Sequence, residues 1–309
     1  MDNLVVFSGN ATPELAAAIC KELDSGLGRV DVGRFPDGEV SVRLEEDVRG
    51  KDTFIVQSVC PPVNENLMEL LILIDCVRRA SADRVTAVIP YLGYARQDRR
   101  ESETLVPISA KLVANLVVAA GAHRVLTMDL HTEQIQGFFD IPVDHLYAGK
   151  VFLEHFRRLQ LPNLAVVSPD VGSIKMARAY AKSLGARLAT VDKRRLSATE
   201  TEAGFVIGDV KDCNVIIADD MIATGGSIAK AAKALRKAGA LEIHVACTHP
   251  VLCGPAMETL ESSPIGSIFV TDTIPIREKY VGTRVKVLST AQVFAEAIRR
   301  IHHSSALRR

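Results

Sequence analysis

The stretch Val215–Ser227 reads V-I-I-A-D-D-M-I-A-T-G-G-S, and no other segment limits the possible folds so tightly. Val215–Ala218 is an apolar run rich in β-branched residues, which predicts a strand buried on both faces, as in a parallel sheet. Asp219 and Asp220 stand where that strand is expected to end. Thr224-Gly225-Gly226-Ser227 predicts a turn whose glycines let backbone N–H groups point at an anion. The next residues, I-A-K-A-A-K-A-L-R-K-A, combine helical spacing with strong helix formers. A helix beginning there directs the positive end of its dipole at the turn. Paired acids above an anion cradle suit a sugar phosphate such as ribose 5-phosphate. The carboxylates accept hydrogen bonds from the 2′ and 3′ hydroxyls, and the turn holds the phosphate.

The rest of the chain repeats this rhythm. Short apolar runs at Leu4–Ser8, Thr53–Ser58, Arg84–Ile89, Arg124–Asp129, Leu164–Ser168, Arg187–Val191, Glu242–Thr248, Ile268–Thr271 and Val285–Leu288 predict strands. Helical patterns separate them at Pro13–Leu23, Val63–Ala80, Pro107–Ala120, Lys150–Arg158, Gly172–Leu184, Ser227–Ala238 and Ala291–His303. Such alternation predicts an α/β fold with mainly parallel sheets flanked by helices. Asp37-Gly38 predicts a small antiparallel hairpin between Val30–Phe35 and Glu39–Leu44. The strand–helix succession restarts near Ile141–Lys150, so 309 residues divide into two similar domains, 1–145 and 146–290. The last helix, about 291–309, is expected to pack back on the first domain.

Charge balances at 37 basic and 37 acidic residues, which removes any broad electrostatic case for nucleic acid or a membrane surface. Trp is absent, so base stacking has little to work with. No apolar stretch reaches the length of a membrane span. The N-terminus reads as strand and turn rather than a signal peptide. Six cysteines without a C-x-x-C pair predict buried, reduced thiols in a cytoplasmic protein. Cys247 and Cys253, with His244 and His249 close by, read as a strand and a Pro/Gly turn rather than a metal site. Strand ends collect polar residues: Asp129 and His131, Asp170, Lys193, and Asp219 with Asp220. Ligands of open α/β sheets gather there.

The Val215–Ser227 string resembles the phosphoribosyl-diphosphate motif shared by type I phosphoribosyltransferases and ribose-phosphate diphosphokinases. Five further motifs separate the two: F-P-D-G-E at Phe35–Glu39, Y-A-R-Q-D-R at Tyr94–Arg99, D-L-H at Asp129–His131, S-P-D-V-G at Ser168–Gly172 and D-K-R-R at Asp192–Arg195. With them the chain resembles the ribose-phosphate diphosphokinase (phosphoribosyl-diphosphate synthetase) family from Val5 to about His302. The absence of G-x-x-x-x-G-K-[ST] agrees with a phosphate cradle other than the P-loop.

The resemblance implies two phosphoribosyltransferase-like domains, the first binding ATP and the second ribose 5-phosphate. It implies transfer of the diphosphoryl group of Mg-ATP to the anomeric hydroxyl of the sugar, a step that supplies precursor for nucleotide, His and Trp biosynthesis. Lys193 and Arg195 match the family's catalytic basic residues, and Arg195 also its sugar-phosphate contacts. Leu196–Gly204 is expected to form a flap. Phe35, Asp37, Gly38, Glu39, Arg96, Gln97 and Arg99 match the nucleotide site. Asp219, Asp220, Ala223, Thr224, Gly225, Gly226 and Ser227 match the ribose 5-phosphate site. His131 and Asp170 match the Mg2+ ligands. The family commonly forms hexamers built from dimers, in which the hairpin completes a neighbour's site.

Many family members have Asp at position 223, Ser at 47, a basic loop after Arg99 and a Ser-rich tail. Here those positions hold Ala223, Asp47, R-E-S-E-T-L-V and S-S-A-L-R-R. Since the last three regions serve the allosteric phosphate/ADP site, weak or altered regulation is expected. Two competing readings fit less well. A phosphoribosyltransferase has no use for F-P-D-G-E or R-Q-D-R, and a non-catalytic homologue would lack the catalytic positions that this chain keeps.

Overall fold

A computed structural model describes residues 3–100, 105–194, 203–277, 280 and 283–303. In chain order the elements are β1 (Leu4–Ser8), α1 (Pro13–Glu22), β2 (Val30–Arg34), β3 (Val40–Leu44), β4 (Asp52–Val56), α2 (Val63–Arg79), β5 (Arg84–Ile89), α3 (Ser109–Ala120), β6 (Arg124–Met128) and β7 (Val143–Leu146). There follow α4 (Gly149–Leu159), β8 (Leu164–Ser168), α5 (Ile174–Leu184), β9 (Arg187–Arg194), β10 (Ala203–Ile207) and β11 (Asn214–Ile222). The remainder comprises α6 (Gly226–Lys237), β12 (Ile243–Pro250), α7 (Ala256–Glu261), β13 (Ser267–Thr271), β14 (Val285–Leu288) and α8 (Ala291–His302). A 3-10 turn covers Glu133–Phe138. The chain forms two compact units. One comprises Met1–Tyr147, Thr273–Pro275 and Ser289–Arg309, the other Ala148–Asp272 and Ile276–Leu288.

The first unit holds a five-stranded parallel sheet in the order β1-β4-β5-β6-β7. Its strands read as continuous apolar runs because helices cover them, and Phe7, Ile55, Leu70, Leu73, Val85 and Val113 share one core. The β2–β3 hairpin pairs antiparallel in a separate two-stranded sheet, Val30 opposite Leu44 and Arg34 opposite Val40. Helix α8 closes this unit against α1. At its C-terminus a buried ion cluster takes hold. Arg84 Nε donates to Asp52 Oδ1 at 2.8 Å, Arg84 Nη2 donates to the Ile301 carbonyl at 3.0 Å, and His302 Nδ1 lies 2.8 Å from Asp52 Oδ2. The arginine therefore serves a carboxylate and the last turn of a helix together, both of which favour positive charge.

The second unit holds a seven-stranded sheet, β10-β9-β8-β11-β12-β13-β14, parallel except for β10. Val215 and Ile217 pack with Ile228 and Leu235 of α6 in one core, while Ile216 and Ala218, pointing the other way, are also buried. On that second face Phe269 meets His155 at 4.5 Å and Phe156 at 5.2 Å between ring centroids, and Lys286 Nζ stands 5.4 Å over its ring.

The structure departs from the sequence reading at several elements. β11 does not stop before the acids. It runs on to Ile222 because β12 continues the ladder, pairing Asp219 with Cys247 and Met221 with His249. β7, β10 and α7 lack a clear sequence signal: two are edge strands with polar or glycine content, and α7 has six residues. Ala203 and Gly204 of the expected flap are the start of β10, and Leu196–Glu202 lie outside the described residues.

The histidines beside Phe269 generate a prediction. Burial lowers the pKa of both His155 and His244; Lys286 and Arg158 lower that of His155 further, while Glu242 partly opposes the shift in His244. His155 Nε2 is buried without a hydrogen-bond partner. Both groups take up protons more readily unfolded, so their contribution to stability is intact above the ordinary value of 6.5 and is lost as pH falls below it. His155→Leu is expected to shrink the drop in melting temperature between pH 8 and pH 5. A wild-type-sized drop in the variant, followed by circular dichroism, would remove His155 from the acid response.

Candidate active site

In the C-terminal unit the expected sugar-site residues converge at the carboxyl end of the sheet. β8 pairs with β11 only as far as Val167 opposite Ile217, so the two acids extend past the end of their β8 neighbour. Asp219 is buried, 9% exposed, and Asp220 is half-buried. Ser173 Oγ donates to Asp219 Oδ1 at 2.5 Å, and the Asp220 backbone N–H donates to the same oxygen at 3.0 Å. These donors do not balance the surroundings. Burial above all, then the charge of Asp220, raises the Asp219 pKa to about 8; Asp170 and a carboxyl–carboxyl hydrogen bond with Asp220 add to the rise, and Ser173 opposes it.

The turn after β11 delivers the chain into α6. Gly225 has φ +76°, and a Cβ there would sit 3.1 Å from Leu260 Cγ and 3.2 Å from the Ala256 carbonyl. Only glycine combines that conformation with so close an approach. As the residue before the helix it has no side chain with which to cap, so the first-turn N–H groups of α6 receive no side-chain cap. Two backbone bonds hold the turn from outside: Leu252 N–H to the Ile222 carbonyl and Cys253 N–H to the Ala223 carbonyl, each 2.9 Å. Thr224 is exposed; Ala223, Gly226 and Ser227 are half-buried. An uncapped helix N-terminus behind a glycine turn can receive a phosphate, and the acids beside it can accept from hydroxyls.

Asp170 follows β8 at the same sheet end, its Oδ1 accepting from Gly172 N–H at 2.9 Å. Lys193 lies in β9, its backbone paired with Gly204 of β10. Arg195 lies outside the described residues.

The N-terminal unit carries the remaining candidates. Arg96, Gln97 and Arg99 are exposed on the segment after β5. That segment is shaped by Tyr94 at φ 64° and by Gly93, where a Cβ would come within 2.4 Å of the Val59 carbonyl. Gln97 is anchored on both sides, its carbonyl accepting from Ala110 N–H at 3.2 Å and its Oε1 from Ser109 Oγ. His131 is exposed after β6, two residues beyond the buried Asp129, whose φ is 37°. On the hairpin Phe35 is 55% exposed, and the turn is set by Gly38 at φ +95° and by Asp37 Oδ1 accepting from Glu39 N–H at 3.1 Å. Within this unit the three sets sit on the hairpin, after β5 and after β6; His131 and Asp170, the expected metal pair, belong to different units.

Sequence reasoning missed the polar groups behind these loops. Glu69, 3% exposed, accepts from Asn10 N–H at 2.6 Å, Asn10 Nδ2 at 3.0 Å and Gln57 Nε2 at 2.8 Å. Asn10 Nδ2 also reaches the Val32 carbonyl on the hairpin, 3.1 Å. Ser173 was missed as well. A buried acid on the inner face of α2 breaks the apolar helix pattern, and that break is the one signal the sequence offered for Glu69.

The fold defines an α/β protein of phosphoribosyltransferase-like architecture with an acid pair and an anion cradle at one sheet end. Residues 4–121 match a family model described as the N-terminal domain of ribose phosphate pyrophosphokinase, and residues 196–309 match the phosphoribosyl synthetase-associated domain. A ribose-phosphate pyrophosphokinase of Rhodopirellula baltica is 56% identical over 99% of this chain and 98% of its own length. That of Campylobacter jejuni is 52% identical over 98% and 97%. The crystal structure of phosphoribosylpyrophosphate synthetase from Mycobacterium smegmatis superposes with a TM-score of 0.92 at 43% identity, covering 98% of this chain and all of that one. The chain belongs to the ribose-phosphate pyrophosphokinase family.

The raised pKa of Asp219 sets a stability prediction. The unfolded group ionises from about 3.8 and the folded one near 8, so stability present in acid is lost as pH rises through that window. Asp219→Asn keeps an acceptor for Ser173 and gains an amide donor toward Asp220. The variant is expected to be more stable than wild type by on the order of 1 kcal/mol at pH 8, with the gap closing toward pH 4. Denaturant titrations across that range check it; a gap independent of pH would contradict the raised value.

Proposed function

We infer that this protein transfers the diphosphoryl group of ATP to the anomeric hydroxyl of ribose 5-phosphate, giving 5-phosphoribosyl 1-diphosphate and AMP, a step of nucleotide biosynthesis that also feeds His and Trp synthesis. The O1–Pβ bond forms, the bond from Pβ to the α,β-bridging oxygen breaks, and the anomeric hydroxyl loses its proton. The observation that carries this reading is the acid pair of β11 beside the glycine turn at the start of α6. Asp219 and Asp220 accept from the ribose 2′ and 3′ hydroxyls, and the 223–227 backbone holds the 5-phosphate. Lys193 and Arg195 neutralise charge on the transferring diphosphate; a mobile ammonium and a planar fork suit its oxygens. Residues 1–145 bind the nucleotide, through Phe35, Asp37, Gly38 and Glu39 of the hairpin and through Arg96, Gln97 and Arg99. Residues 146–290 bind the sugar.

Mg2+ fits the donor chemistry of the C-terminal strand ends. Asp170 and Asp220 both raise the pKa of Asp219 by their charge, a carboxylate-rich setting that a hard cation relieves. No group of three or more His, Cys, Asp or Glu side chains within reach of one ion occurs among the described residues. By the family resemblance, Asp170 and His131 are the residues that would contact the ion, with water and substrate phosphate as further ligands. When bound, the ion neutralises phosphate oxygens.

Self-association into a hexamer built from dimers agrees with exposed apolar side chains on α2 and α3, where Met68 is 51% and Leu112 57% exposed. Six free cysteines agree with the reducing cytoplasm. No helix among the described residues is long and apolar enough to cross a membrane.

Purified protein is expected to release AMP from ATP only when ribose 5-phosphate and Mg2+ are both present. Chelation should abolish turnover, and Lys193→Ala should lower kcat by about 10²-fold or more. AMP formation independent of the sugar, or full turnover by Lys193→Ala, would overturn the assignment. Regulation carries a separate expectation. By the family resemblance, positions 47, 101 and 103 belong to the allosteric anion site, and here they are Asp47, Glu101 and Glu103; Asp47 accepts from Arg49 N–H at 2.9 Å, while Glu101, Glu103 and the 304–309 tail lie outside the described residues. Activation by inorganic phosphate should be weak, and a steep, saturating activation curve would refute this.

A further inference from the structure

We propose that Ser173 is a positioning residue of the sugar site, its hydroxyl fixing the Asp219 carboxyl in the orientation that receives the ribose hydroxyls. This rests on the reading of the acid pair as the sugar's partner. Ser173 is the residue before α5, where serine ordinarily turns its oxygen to the helix's own N–H groups. It does not do so here. Its φ and ψ of −90° and 7° lie outside the extended region from which a cap reaches the helix, and no side-chain cap bond forms. The hydroxyl instead crosses from the β8–α5 connection to β11 and donates to Asp219 Oδ1 at 2.5 Å, 46 residues away in sequence.

Two donors on one oxygen, Ser173 O–H and Asp220 N–H, leave the carboxylate little freedom to rotate. The contact matters most at this group because Asp219 is nearly out of solvent and faces two further carboxylates. Ser173 is the side chain that reaches this carboxyl from outside β11. It also ties the turn bearing Asp170, closed by Gly172 N–H on the Asp170 carboxylate, to the acid pair.

The test is steady-state kinetics on Ser173→Ala, Ser173→Thr and Asp219→Asn, alone and combined, with thermal melts of each. Losing one hydrogen bond that orients the sugar's acceptor predicts a KM for ribose 5-phosphate raised about tenfold in Ser173→Ala. The KM for ATP and kcat should stay within about twofold. Ser173→Thr keeps the hydroxyl and should recover most of the loss. Ser173→Ala should add less on top of Asp219→Asn than it costs alone, since the amide keeps an acceptor for Ser173 but already perturbs the sugar contact. An unchanged sugar KM in Ser173→Ala overturns the proposal. So does a parallel loss in all constants, a lost cooperative melt, or additivity with Asp219→Asn. If Asp219→Asn and Asp220→Asn also leave the sugar KM unchanged, the sugar-site reading itself falls; if they raise it while Ser173→Ala is silent, only the role of Ser173 falls.

Discussion

A carboxylate held out of water beside two others is the constraint around which the C-terminal unit is organised. Asp219 can exist there only because its backbone is locked on the β12 side of the sheet while the β8 side has ended, and because donors reach it from α5 and from its own neighbour. Burying a charge without full compensation costs stability that the rest of the unit must supply. The apolar core on the α6 face, from Val215 and Ile217 to Leu235 and Val270, supplies it. The pair is therefore held in an unfavourable state by the sheet, one that hydroxyl donors or a cation would relieve. Binding energy and site electrostatics are in this sense the same quantity.

The N-terminal unit shows what a satisfied buried acid looks like. Glu69 is more deeply buried than Asp219, yet three N–H donors meet its oxygens. Its work is mechanical: through Asn10 it joins the β1–α1 connection to the hairpin strand at Val32. Arg34 adds a second link from the hairpin, to Glu65 of α2 at 2.6 Å, though this pair is exposed and contributes little by itself. Two buried carboxylates in one chain thus divide by environment, one met by N–H donors and the other set beside like charge.

Most of the framework was legible in the residues. β1, β5, β8 and β14 begin and end where their apolar runs do, and every expected helix is present to within about two residues. Parallel strands buried on both faces write an unbroken signal. Edge strands write a weaker one. Val143–Leu146 includes Asp144, held by Arg124 at 2.6 Å, and His145, whose Nε2 accepts from Leu130 N–H at 2.9 Å. Those polar partners come from distant sequence, so the local pattern looked like loop. The extension of β11 through two aspartates was hidden for the same reason: local propensity argues against Asp in a strand, and pairing with β12 overrides it.

The site was legible only as far as chemistry is carried by residue type at fixed spacing. Paired acids, a glycine turn and a helix start are such a pattern, and the structure sets them at one sheet end. Ser173 is not, because its partner lies on another strand and its position invites a different reading. A serine before a helix is first taken for a cap. The backbone angles at Ser173 remove that role and free the hydroxyl for Asp219. The helix gives up a cap of about 1 kcal/mol, and a charge-assisted bond inside the site, of at least similar strength, takes its place. Where a residue departs from its local preference in this way, the gain must be sought in the tertiary partner, and here that partner is a buried acid set beside like charge.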